Sequence, residues 1–121
     1  NIDSIENINS IFSDMALRES FRNDMKTKIS ASVTSSSPNN IEISSLKADK
    51  AEALKSLCLM LDIAPSDTIA FGDSENDVSM LSFAGKGVLM SNSDNLLKSD
   101  KFEISTSCDN YGVARILEKY I

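Results

Sequence analysis

The hexapeptide Gly72-Asp73-Ser74-Glu75-Asn76-Asp77 follows directly on the apolar run Thr68-Ile69-Ala70-Phe71. If that run is a strand of an open parallel sheet, ligands bind beyond its carboxyl end, and Asp73 stands there facing the crevice. Gly72 lets the backbone turn sharply at this point. Asn76 and Asp77 then fall in the first turn of the next helix, so three oxygen-bearing side chains converge beside free backbone N–H groups. Such a set suits a hard cation and a phosphate together. A simpler role fits the same residues: Ser74-x-x-Asp77 is a capping box, and acids at a helix start are stabilised by the helix dipole with no ligand bound.

Lys50 is the second candidate. Asp49, followed three residues later by Glu52, reads as a capping-box start for a helix. Lys50 would then hold the first helical position, where a cation opposes the dipole by about 0.3–1 kcal/mol. A nearby anion would remove the conflict, and a solvated surface lysine is the alternative.

Histidine is absent, which removes Ser-His-Asp and Cys-His catalysis together with imidazole metal sites. Chemistry is left to carboxylate, lysine, hydroxyl and amide groups. Cys58 and Cys108 are the only cysteines, too few for a disulfide framework and too far apart for a paired thiolate site. They read as one core and one loop cysteine in a reducing, cytoplasmic compartment.

The elements that must position these residues alternate. Ile5, Ile8, Phe12, Met15, Phe21 and Met25 predict an amphipathic helix over 5–25, broken near 17–20. Ile29, Ala31 and Val33 then alternate with polar residues, and Ile41 and Ile43 resume the pattern after Ser-Ser-Ser-Pro-Asn-Asn, which predicts two antiparallel strands joined by a turn. A serine-rich linker is the competing reading. Beyond Leu46, the stripe Ala51, Leu54, Leu57, Cys58 and Leu61 predicts a helix. Strands follow at 68–71, 87–90 and 102–106, with helices over 75–83, near 94–98, and finally through Val113, Ile116, Leu117 and Tyr120. Such alternation implies an α/β fold with a parallel sheet flanked by helices, and places the earlier helix and hairpin in another layer or domain.

Composition bounds the rest. A chain of 121 residues is one domain's worth, or a domain plus part of another. With 12 Lys+Arg against 18 Asp+Glu the formal charge is −6, and no basic cluster exceeds two residues. A phosphate-neutralising nucleic-acid surface therefore has no source. The longest apolar run, Leu57-Cys58-Leu59-Met60-Leu61, is far short of a membrane span. The first residues lack a signal peptide's charged and apolar regions, and the chain opens on Asn1, so an upstream portion is expected.

The run Lys50-Ala51-Glu52-Ala53-Leu54, then Ile69 through Asp77 and Met80-Leu81, closely resembles motifs three and four of the haloacid dehalogenase superfamily, in its Cof-type phosphatase branch. Ala84-Gly85, Val88-Leu89-Met90 with Asn92, and Tyr111-Gly112-Val113-Ala114 support the same register. The resemblance covers roughly residues 40–121, with weaker support upstream. It implies that residues 1–44 are the end of an α/β cap domain and that 45–121 are the C-terminal half of a Rossmann-like hydrolase core. Carried over by position, it implies Asp73 as a Mg²⁺ ligand and Asp77 as a second carboxylate at the metal, holding its water shell. Lys50 becomes the catalytic partner of phosphate and nucleophile, and Asn76 a phosphate or substrate contact. The implied activity is Mg²⁺-dependent hydrolysis of small phosphorylated metabolites, sugar phosphates first, through an aspartyl-phosphate intermediate.

Departures qualify it. Ala51 stands where glycine usually follows the lysine, and Ser91 and Ser93 flank Asn92 where glycine and alanine are typical. The family's nucleophile and acid/base lie in an Asp-x-Asp motif near the start of its chains, and no Asp-x-Asp occurs in these residues. The chain is therefore expected to be a C-terminal portion, inactive alone and prone to self-association through a truncated sheet edge. A non-catalytic module binding Mg²⁺, a phosphate ligand or a protein partner is the alternative. A flavodoxin-like domain without metal would require both motif matches to be accidental.

Overall fold

The computed structural model describes residues 6–94, 97, 98 and 100–121. The chain divides into two compact units, residues 1–49 and 50–121.

The first unit contains β1 (Asn7–Ile11), α1 (Met15–Lys28), β2 (Ser32–Thr34) and β3 (Asn40–Ser44). β3 is the central strand, antiparallel to β1 on one side and to β2 on the other. The helix predicted over 5–25 is thus corrected: residues 7–11 form a strand, and α1 begins only at Met15 and runs unbroken through 17–20. The reason is local. Asp14, in an extended conformation, accepts the N–H groups of Ala16 at 2.8 Å and Leu17 at 3.1 Å, which starts the helix there. Asn7 through Ile11 instead find their backbone partners on β3. Ile8 and Ile11 are exposed, while Phe12, Phe21 and Met25 pack on the buried Val33, Ile41 and Ile43.

The hairpin predicted after residue 28 is present, with Val33 opposite Ile43. Its serine-rich turn is ordered because the Asn40 side-chain oxygen accepts the N–H groups of Ser36 and Ser37, each at 3.1 Å. Arg18 of α1 is buried, a feature the apolar pattern did not indicate. Its guanidinium donates to the Asn40 carbonyl at 3.2 Å and to Ser35 Oγ at 2.5 Å, and pairs with Glu19.

The second unit contains α2 (Lys50–Leu61), β4 (Ile69–Gly72), α3 (Val78–Phe83), β5 (Lys86–Leu89), β6 (Glu103–Ile104) and α4 (Gly112–Leu117). Its sheet has the order β4-β5-β6 and is parallel throughout, with Ile69 beside Lys86, Gly72 beside Leu89, and Leu89 beside Ile104. The predicted α/β fold is therefore observed. α3 packs on β4 and β5, and Ala70, Leu81 and Leu89 form the core, joined by Met80, Ala84, Leu97 and Phe102.

Three expectations change. Of the α2 stripe only Cys58 is buried; Ala51 and Leu54 are half-buried, and Leu57 and Leu61 are exposed. α3, of six residues, packs against α2, and Leu57 and Leu61 remain exposed beside it. β6 is shorter than 102–106 because the chain leaves the sheet after Ser105, whose N–H still bonds the Leu89 carbonyl at 3.0 Å. α4 ends at Leu117. The short helix expected near 94–98 falls partly on Asn95 and Leu96, which lie outside the described residues.

At the amino ends of β5 and β6, Glu103 pairs with Lys86 at 2.5 Å and with Lys119 at 2.6 Å, and Lys86 also bonds the Tyr120 hydroxyl. These pairs tie the residues after α4 to the sheet. No helix among the described residues is long and apolar enough to cross a membrane.

Candidate functional site

β4 ends at Gly72, and the chain passes through Asp73 and Ser74 into a single 3-10 turn, Glu75–Asp77, that runs on into α3. Asp73 thus stands at the carboxyl end of a parallel strand, where the sequence placed it. Gly72 serves a different purpose from the one foreseen. It has no positive φ, but a β-carbon on it would lie 2.4 Å from Asp77 Cβ and 2.9 Å from Asp77 Oδ2. The missing side chain makes room for a carboxylate.

That carboxylate is buried, and both of its oxygens are engaged. Asp77 Oδ2 accepts the N–H of Asp73 at 3.0 Å and of Ser74 at 3.1 Å, and Oδ1 forms an ion pair with Lys50. The capping box read from Ser74-x-x-Asp77 forms, and the same side chain also holds the lysine, so capping and ion pairing are not alternatives. Lys50 is the first residue of α2, as the sequence indicated. Its ammonium also donates to Asn76 Oδ1 at 3.3 Å. The conflict between a cation and the amino end of a helix is relieved by Asp77, across 27 residues of sequence.

Asp73 is oriented differently. It is exposed; Oδ1 accepts from Ser74 Oγ at 2.8 Å and Oδ2 from the Asn92 side-chain amide at 3.2 Å. Both are neutral donors, and a carboxylate held by hydrogen bonds while open to solvent is the form a metal-ligating aspartate takes. Among the described residues no three Asp, Glu, Cys or His side chains gather into a metal-binding cluster. Asp73, open to solvent, and the neighbouring Asp77 suit a cation that takes one or two carboxylates and completes its shell with water and phosphate.

The structure brings Lys50, Asn76 and Asp77 into direct contact and sets Asp73 beside them through its backbone N–H. The contact between Asn92 and Asp73 was not legible in sequence. In the sequence Asn92 stood out only as a match to the family pattern after Val88-Leu89-Met90, with no role attached. Cys58 is buried and Cys108 exposed, and both are free thiols.

Comparison with known proteins bears on this arrangement. The chain is 44% identical over 86 residues to Phosphatase YwpJ of Bacillus subtilis, covering 71% of this chain and 30% of that protein. It is 31% identical over 108 residues to the 5-amino-6-(5-phospho-D-ribitylamino)uracil phosphatase YcsE of the same organism, covering 89% of this chain and 43% of that protein. The chain thus spans less than half the length of these relatives. A solved haloacid dehalogenase-like hydrolase from B. subtilis superposes with a TM-score of 0.88 at 34% identity, over 98% of this chain and 43% of that one. The family model of the haloacid dehalogenase-like hydrolases matches residues 1–117, so nearly the whole sequence is accounted for and the chain belongs to that family.

Proposed function

We propose that this chain is the C-terminal portion of a Mg²⁺-dependent phosphatase acting on small phosphorylated metabolites. The observation that carries the reading is the meeting of the Lys50 ammonium with Asn76 and Asp77 beside Asp73, at the carboxyl end of β4. Convergence of a cation, an open carboxylate and an amide suits one phosphoryl group and its counterion. Further support comes from the relative named for a phosphorylated ribitylamino-uracil.

In this reading Asp73 is the carboxylate that holds the metal, and Asp77 steadies both the metal's water shell and Lys50. When bound, Mg²⁺ would neutralise charge on the transferred phosphoryl group. Lys50 would orient that group and a reacting carboxylate by its positive charge, and Asn76 would contact phosphate or substrate through its amide. The attacking aspartate, which would form an aspartyl-phosphate, and the acid for the leaving oxygen would come from an Asp-x-Asp segment that residues 1–121 do not contain. Residues 1–44 would be the end of a cap domain, with 45–121 as the second half of the core. Sugar phosphates are the first substrates to try.

The test compares residues 1–121 with the full-length protein on an aryl phosphate, with and without Mg²⁺. Metal-dependent turnover is expected of the full-length protein alone, and Asp73→Asn in it should lower the rate with the fold intact. Turnover by residues 1–121 would overturn the fragment reading. An inactive full-length protein that does carry Asp-x-Asp would favour a non-catalytic module binding Mg²⁺, a phosphate ligand or a protein partner.

A further inference from the structure

Asn92 lies in the turn after β5, outside the cluster just described, and its amide has two partners on two other loops. Its Nδ2 donates to Asp73 Oδ2 at 3.2 Å, and its Oδ1 accepts the backbone N–H of Cys108 at 3.2 Å. The direction of this amide is determined by its partners. A backbone N–H can only donate and an ionised carboxylate can only accept, so the oxygen must face Cys108 and the NH₂ must face Asp73. Turning the amide over would break both bonds at once.

From this geometry we infer that Asn92 is a positioning residue for Asp73, with the Cys108 N–H fixing the orientation in which it works. The chain Asp73–Asn92–Cys108 joins the segments that follow β4, β5 and β6, the three strands of the parallel sheet. An exposed aspartate has free rotation about its side-chain bonds unless both oxygens are held. Ser74, the next residue, holds one oxygen, and Asn92, 19 residues away, holds the other. Partners behind a metal ligand of this kind change metal affinity by about 10- to 100-fold when removed. The inference rests on the proposed role of Asp73 as the metal's carboxylate.

The test is a double-mutant cycle on Mn²⁺ affinity in the full-length protein, read without substrate from the electron paramagnetic resonance of free Mn²⁺. Asn92→Ala removes the orienting amide. Cys108→Pro removes the backbone N–H together with an exposed thiol, and Cys108→Ala, which loses the thiol alone, is its control. Cys108 is the first residue of its 3-10 turn, and Ser107 before it has ψ 164, so proline is tolerated there. Thermal unfolding of each variant confirms the fold. Asn92→Ala should weaken Mn²⁺ binding about 10-fold or more. Cys108→Pro should weaken it in the same direction, and the double variant should be no worse than Asn92→Ala, because the second change acts only through the first. Asp73→Asn is the control and should abolish binding. If Asp73→Asn abolishes binding while Asn92→Ala leaves it unchanged, the positioning role is wrong and the site reading stands; if the two effects simply add, the Cys108 N–H does not act through Asn92 and that part of the inference is wrong. If Asp73→Asn leaves binding intact, the site reading fails and the inference with it.

Discussion

Gly72 approaches Asp77 so closely that a β-carbon on the glycine would sit 2.4 Å from the aspartate's own. The end of β4 and the start of the next helix are thereby pressed together, and the buried carboxylate between them carries the loop's N–H groups on one oxygen and Lys50 on the other. Gly72→Ala should therefore displace Asp77. Overpacking of this kind costs about 1–3 kcal/mol. A fall in the urea midpoint with an unchanged slope is expected, together with shifted amide resonances at Asp73 and Ser74. An unperturbed spectrum at those two residues would show that the close approach imposes nothing.

Asp77→Asn keeps the shape but offers one acceptor oxygen in place of two. It can hold the Asp73 and Ser74 N–H groups or Lys50, but not both. Hydrogen bonds to a charged group contribute about 1.5–3 kcal/mol, so a loss of that order is expected. Lys50→Met should cost less, because the ammonium is half exposed and the aspartate keeps its two N–H donors. Denaturant unfolding of both variants checks the ranking, and a larger loss for Lys50→Met would contradict it.

The Lys86–Glu103–Lys119 cluster gives a pH dependence with a definite sign. Hydrogen bonds from Lys119 and then Lys86 hold the Glu103 carboxyl down to about 2, against an ordinary value of 4.5. The folded state thus prefers the ionised form, and the stability this brings is present above about 4.5 and lost as pH falls through about 2. Lys86, raised chiefly by its bond to Glu103, contributes below its ordinary 10.5 and loses that contribution as pH rises through its raised value. The groups face solvent, so salt should shrink the effect. Carboxyl carbon chemical shifts of Glu103, followed from pH 6 to 2 in low and high salt, measure it directly.

Leu59 is 76% and Met60 82% exposed on α2, and β4 is an edge strand of its sheet. Apolar surface and an open strand edge both favour association. Residues 1–121 by themselves should sediment with concentration-dependent mass, and Leu59→Lys with Met60→Lys should reduce it. A strictly monomeric sample at about 0.1 mM would remove this expectation.

The sequence alone carried the α/β alternation, the start of the Lys50 helix, the position of Asp73 at a strand end and the capping relation between Ser74 and Asp77. These are local matters, set by period, caps and turn residues within a few positions of one another. It failed over residues 7–11, where apolar spacings of three and four span a strand, a turn and a helix, because the partner that makes them a strand is β3, some 30 residues on. It failed for the α2 stripe because burial depends on what packs against a helix, not on the helix's own pattern. Only the tertiary structure decided that one carboxylate, Asp77, both caps its own turn and neutralises Lys50, and that Asn92 steadies Asp73. Those bonds join residues 27 and 19 positions apart, and the register of the parallel pairing, which no local pattern encodes, is what brings the ends of β4 and β5 side by side.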